Sequence, residues 1–421
     1  MRSNGGSVGR SERDVLLQRT IERAGELAAA RRRRRRLLTT VPAAVLVVAL
    51  SVGALAAAVV ATGGHRSHPE AATGPRTTTE PGSRAARSTS TTAPVPAPGV
   101  IIGFDPVSFT AVSLEHWWVL GEVPCHGSHC LAIAETRDGG ATFSTIPAPA
   151  GATPDRDGRF VLRFAGPTDG YLVGSHLWST TDDGAHWVRQ HLSGSVTALE
   201  AADGKAFALS CGSAHCSLLE AAVGSSSWRT VALPRQLPNV AFLSVVGTRV
   251  VVTSSDGPSR IAPFQLSTDG GTSFSVLSTP CYSGLGGHVV AAAESPSALW
   301  ASCPSGMMAA PFHSGDNGSV WSPAESRARS VEFSNALGIA AVSADTALVW
   351  PFESSGALAL TTDGGARYTR VLDAGAGATV VWAGYSDSER AYALLATGLY
   401  AGQLWISSDG GRSWSRVRFT R

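Results

Sequence analysis

The stretch TTDGGARY, Thr361 to Tyr368, decides the fold, because it recurs. The same pattern of hydroxyl, any residue, Asp, any residue, Gly, two more residues and an aromatic appears as TRDGGATF (Thr136 to Phe143), TTDDGAHW (Thr180 to Trp187) and STDGGTSF (Ser267 to Phe274). It returns as SGDNGSVW (Ser314 to Trp321) and SSDGGRSW (Ser407 to Trp414). The second glycine position falls at 140, 184, 271, 318, 365 and 411, and the long gap between 184 and 271 holds a worn copy, Gly224 with Trp228. A fixed period of 40 to 47 residues makes each unit one supersecondary element stacked on its neighbours, so the chain holds seven units.

Local chemistry places each copy in a tight turn between strands. The Asp side chain is expected to accept from backbone N–H groups two residues on, as in an Asx-turn, and the Gly-Gly pair tolerates the positive φ of a two-residue hairpin connection. The closing aromatic is expected to start the next strand and bury its ring between neighbouring sheets. Runs such as GYLVGSHLWST (Gly170 to Thr180) and ALVWPF (Ala347 to Phe352) upstream of the turns read as strands. One inner-strand candidate occurs per unit: VSFTAVSL, FVLRFAG, SVTALEAA, VAFLSVV, HVVAAAES, VEFSNALG and TVVWAGYS. About 46 residues per unit over 100–421 suit four short strands, and radial repetition of such blades is the β-propeller answer to exposed sheet edges. The expectation is an all-β, seven-bladed β-propeller.

The repeated turn closely resembles the Asp-box, or bacterial neuraminidase repeat, of sialidases, xyloglucanases, sortilin-type receptors and the photosystem II assembly factor family. The resemblance spans 100–421. It implies that Asp138, Asp182, Asp269, Asp316, Asp363 and Asp409 are structural, on a rim remote from the ligand face. In overall layout the assembly-factor type, a single propeller used as a binding platform through an arginine patch, is most similar. Here the arginines are scattered (Arg156, Arg159, Arg163, Arg327, Arg329, Arg416 and Arg418). Sialidases take an arginine from an Arg-Ile-Pro motif upstream of the first box, but no arginine occurs between Val100 and Thr136. The nearest string, Arg260-Ile261-Ala262-Pro263, carries an inserted alanine in the fourth unit.

Residues 1–36 form an arginine-rich tail with 11 Arg against 4 acids, ending in Arg31 to Arg36. Leu37 to Gly64 then run uncharged, enough for a bilayer span, with 37–63 as a transmembrane signal-anchor. The flanking arginines orient the tail to the cytoplasm and the rest outside. A cleaved signal peptide is the rival reading. Residues 64–99, rich in Thr, Ser and Pro, read as a disordered stalk, and 100–421 as the propeller. That last segment carries 19 basic against 26 acidic residues, so the overall charge of +2 hides two segments of opposite sign, and nucleic acid is not an expected partner.

All six cysteines lie in 100–421. Cys125 pairs with Cys130, and Cys211 with Cys216, each across a loop joining the second and third strands of a blade; Cys281 and Cys303 flank the first two strands of the fifth. Metal binding is the sharper alternative at the first pair, since His126 and His129 lie inside it, but four ligands within six residues rarely close a tetrahedron. No P-loop forms around Lys205, the only lysine, no H-E-x-x-H is present, and the G-x-S-x-G string at Gly5 to Gly9 lies in the tail. No catalytic residue, cofactor or metal ligand is therefore assigned. His116, Trp117, Trp118, Trp300, Trp350 and Trp382 fall on or beside inner strands. The expected function is a non-catalytic platform for a protein or glycan of the cell envelope, with a sialidase-type glycoside hydrolase as runner-up.

Overall fold

The computed structural model describes residue 101 and residues 103–419 apart from short internal segments (126–127, 155–158, 239–240, 255–262, 282–286, 306–307, 325–336, 352–355, 374, 376 and 398–400). The tail, anchor and stalk expected over 1–99 lie outside the described residues. Among the described residues no helix is long and apolar enough to cross a membrane.

Seven antiparallel sheets follow one another along the chain: blade 1 over Asp105–Pro147, blade 2 over Val161–Gln190, blade 3 over Ser195–Pro238 and blade 4 over Ala241–Leu277. Blade 5 covers His288–Pro323, blade 6 Leu337–Asp373 and blade 7 Ala378–Arg416. Six sheets have four strands in sequence order. Blade 3 has five, because Leu237–Pro238 adds a strand beside His215–Ala222. The seven-bladed propeller is as the repeat predicts. One strand reading needs correction. GYLVGSHLWST is two strands, Gly170–Val173 and Leu177–Thr180, since Gly174 to His176 turn the chain. In blade 6 the described part of the inner strand is Leu337–Ala341, which contains the end of VEFSNALG; 331–336 lie outside the described residues.

The core sits in the seams, not within single sheets. Seven clusters of buried apolar side chains lie one at each junction between neighbouring blades. At the blade 1–2 seam Trp118 stacks on Phe164 with ring centroids 3.8 Å apart. Ring closure is the same kind of seam: Phe109, Trp117 and Phe143 of blade 1 pack against Tyr392, Leu394 and Leu404 of blade 7. All four strands of blade 7 come from the C-terminal part of the chain, and the join is clasped by the Ile101 N–H, which donates to the Phe419 carbonyl at 2.9 Å. Trp117, Trp118, Trp300 and Trp350 are on second strands and buried; of the six aromatic candidates only Trp382 lies on an innermost strand.

The repeated turns differ in detail from the expected Asx-turn. The strand-end hydroxyl, buried in all six, donates to the Asp Oδ1 at 2.7–3.0 Å and accepts from the N–H of the second glycine at 2.8–2.9 Å. The carboxylate accepts from the backbone N–H four residues on, not two: Thr142, His186, Ser273, Val320, Arg367 and Ser413. The connection is correspondingly longer than a two-residue hairpin, with seven residues between Thr136 and Ser144. Consecutive positive φ at the fourth and fifth positions, as at Gly139 (71°) and Gly140 (94°), folds the later N–H back onto the carboxylate. The aromatics reach the preceding blade: the Trp187 indole donates to Pro147 O and the Tyr368 hydroxyl to Ala324 O.

Candidate functional site: the ring axis and its loop face

Strand direction sorts the loops onto two faces. The six turns lie on one face with the connections between first and second strands. Loops between second and third strands, and from blade to blade, lie on the other. All three expected disulfides form and brace that loop face: Cys125–Cys130, Cys211–Cys216 and Cys281–Cys303, with Cα atoms 5.7, 4.0 and 4.9 Å apart. Asp138, Asp182, Asp269, Asp316, Asp363 and Asp409 all sit on the turn face, each bonded within its own turn. The backbone N–H and then the ring of His186 hold Asp182 down to about 2, and Ser413 does the same for Asp409.

The innermost strands of blades 1, 2, 3 and 7 enclose a cavity of ≈ 450 Å³ towards the loop face. Its wall is mainly apolar, with Val107, Phe109, Val161, Leu199, Val381 and Trp382 among the lining residues. A second cavity of ≈ 200 Å³ lies towards the turn face and shares Phe109, Arg163 and Trp382 with the first. Between them Arg163 of blade 2 grips Glu200 of blade 3 through Nε at 2.8 Å and Nη2 at 3.0 Å, and donates through Nη1 to Leu162 O at 2.9 Å. Burial works against charging this guanidinium, but Glu200 overrides it and holds Arg163 above its usual value. Further round the axis, Phe242 of blade 4 is 43% exposed and lies 5.8 Å from the His288 ring of blade 5. Burial pushes His288 down to about 4, so it is neutral at pH 7.

In the sequence Arg163 is one of several scattered arginines, and Glu200 belongs to no motif. Their pairing across 37 positions leaves no local signal beyond both lying on innermost strands. A second polar group lies off the axis, at the blade 1–2 seam. His116, Glu135 and Asp183 each bring a ligand atom within 4.8 Å of the others. Arg137 ion-pairs with both carboxylates and offsets part of their charge. His116 Nε2 meets Glu135 Oε1 at 2.9 Å, and the Trp118 indole donates to Asp183 at 3.0 Å. Burial and then the Glu135 charge push Asp183 up, with Arg137 and Trp118 opposing. Asp183 stands at φ 59° where four other turns have glycine, so its carboxylate reaches blade 1 and ties the seam.

No family model and no curated protein matches the chain. Among solved structures, YCF48 bound to D1 peptide is 17% identical, covering 74% of this chain and 96% of its own, with a TM-score of 0.48. YCF48 from Cyanidioschyzon merolae is 15% identical over 75% of this chain and 99% of its own, at 0.47. An ulvan lyase of a polysaccharide lyase family is 9% identical over 77% of this chain and 97% of its own, at 0.51. At that identity the likeness to the lyase is one of propeller fold alone.

Proposed function

We propose that this protein is a membrane-anchored extracytoplasmic propeller of Asp-box type that acts as a non-catalytic binding platform. Its axial cavity takes an apolar segment of a protein client. The carrying observation is the character of that cavity. A glycoside hydrolase of sialidase type calls for clustered, solvent-facing carboxylates and arginines. Here Glu122 is the one acid among the lining residues, beside Arg159 and Arg163, and Arg163 is committed to Glu200, whereas Val381 and Trp382 line the wall and Val381 is 48% exposed. Exposed apolar surface in a concave site favours a client of matching polarity. Three disulfides support an oxidising compartment, and the uncharged run after Arg31 to Arg36 supports an anchor with the propeller outside.

Placing a photo-crosslinking residue at Val381 in the full-length protein tests this reading. Irradiation in the native envelope is expected to give a discrete protein adduct, absent when the probe sits at Val276 on the outer strand of blade 4. Equal labelling from both positions, or turnover of a fluorogenic sialoside by the purified protein, overturns it.

A further inference from the structure

The worn turn of blade 3 leaves a gap that the turns of blades 2, 4, 5 and 6 close. In blades 2, 4, 5 and 6 the second glycine is pressed against the preceding blade. A Cβ added at Gly184, Gly271, Gly318 or Gly365 would sit 2.8, 2.8, 2.7 or 2.5 Å from Ile146, Phe207, Phe264 or Ala324. At Gly224 the nearest atom is Asp169 Oδ1, at 3.4 Å. Six residues, not seven, separate the third strand of blade 3 (ending at Ala222) from the outer strand (starting at Arg229). Trp228 therefore falls back onto Tyr171, with ring centroids 5.7 Å apart. What remains between blades 2 and 3, on the turn face, is a cleft of ≈ 270 Å³.

Its lining is unlike that of the axial cavity. It includes Tyr171, Ser179, Thr181, His186, Gln190 and Ser226, with the blade 2 turn on one side and the blade 3 remnant on the other. Several polar groups here are uncommitted. Among the described residues the hydroxyls of Tyr171, Thr181 and Ser226 make no hydrogen bond, and His186 uses only Nδ1, on Asp182 Oδ2 at 2.6 Å. Gln190 donates to Ser179 through Nε2 at 2.8 Å and keeps its carbonyl oxygen as an acceptor. Burial and then Asp169 push the Tyr171 phenol up to about 12, so it enters as an O–H donor. Val188, 60% exposed, adds an apolar surface to the lining. The charge at hand is the Asp182 carboxylate, which disfavours an anionic ligand.

We infer that the blade 2–3 seam is a binding site for a neutral saccharide. Closely spaced hydroxyl, imidazole and amide groups meet the alternating donors and acceptors of a sugar, and Val188 meets the apolar face of its ring. A cleft below the roughly 300 Å³ at which drug-sized pockets begin suits one or two sugar residues. The inference is independent of the axial cavity, which lies on the other side of the innermost strands.

The test is titration of the full-length protein with chitotetraose, maltotetraose and, as an anionic control, sialyllactose, read by saturation-transfer NMR and calorimetry. At least one neutral tetrasaccharide is expected to bind, and sialyllactose to bind more weakly. Thr181→Trp and Ser226→Trp, which fill the cleft, should each weaken that binding about tenfold or more. Thr362→Trp, at the equivalent position of the blade 6 turn, and Val381→Asp in the axial cavity should leave it unchanged. Circular dichroism and thermal melting confirm that each variant is folded. Failure of both neutral probes to bind, tighter binding of sialyllactose, or an equal loss with Thr362→Trp overturns the proposal.

Discussion

Replacing Gly365 by alanine tests whether the repeated turns act as wedges between blades or only as local reversals of the chain. Gly365 has φ +86°, so any side chain meets the left-handed penalty of about 1–2 kcal/mol. Its Cβ would also lie 2.5 Å from Ala324 Cβ and 2.6 Å from both Ala324 Cα and the Ala324 carbonyl oxygen. Two of those atoms are main chain directly after the outer strand of blade 5, so the clash moves backbone rather than a rotamer. Overpacking of this kind adds about 1–3 kcal/mol, for a total of about 2–5 kcal/mol. Two other glycines separate the terms. Gly224 (φ +77°) has its nearest neighbour at 3.4 Å and Gly204 (φ +72°) has none within 4 Å, so alanine there meets the backbone term alone, about 1–2 kcal/mol. Equilibrium urea unfolding of the three variants under non-reducing conditions, followed by tryptophan fluorescence, measures the differences. Gly365→Ala should be the least stable by about 2 kcal/mol, with the other two alike. If all three fall within about 0.5 kcal/mol of one another, the seam contact carries no energy and the wedge account is wrong.

The disulfides should rank by the length of chain they close. Replacing Cys281 and Cys303 by serine should lose about 3 kcal/mol and replacing Cys125 and Cys130 about 2 kcal/mol, from separations of 22 and 5 residues. The reverse order in urea titrations would rule out loop closure as the main term. Acid sensitivity should trace in part to His288. Its folded value of about 4 lies below the ordinary 6.5, so between these values the unfolded chain binds the extra proton. Stability is therefore retained above about pH 6.5 and falls towards pH 4, by up to about 3 kcal/mol. Melting curves of wild type and His288→Phe from pH 7 to pH 4.5 should diverge, and parallel curves would exclude the histidine.

The blade count and disulfide pairing were legible in the sequence because both rest on short-range chemistry. A Ser or Thr two positions before Asp, followed by glycine, builds the same turn wherever it occurs. Cysteines five residues apart at one hairpin end meet whatever the rest of the chain does. The error in the Asx-turn has a local cause too: the buried hydroxyl takes the second glycine's N–H, leaving the carboxylate to a later donor. Thr361 in TTDGGARY therefore anchors the turn as much as Asp363 does. The extra strand Leu237–Pro238 had no such signal, because a proline-containing dipeptide becomes a strand only where an edge is free to receive it.

By itself, then, the sequence determined seven units, the place of each turn and which cysteines meet, since these follow from contacts within one unit. What lies between units came from the packing of blade on blade. The Arg163–Glu200 pair, the His116–Glu135–Arg137–Asp183 tie, the apolar axial cavity and the open seam beside Gly224 all join residues of different blades. Their alignment is set by the rotation from one blade to the next. That rotation is imposed by closing seven blades into one ring, with the Ile101–Phe419 clasp at the join, and no single repeat encodes it.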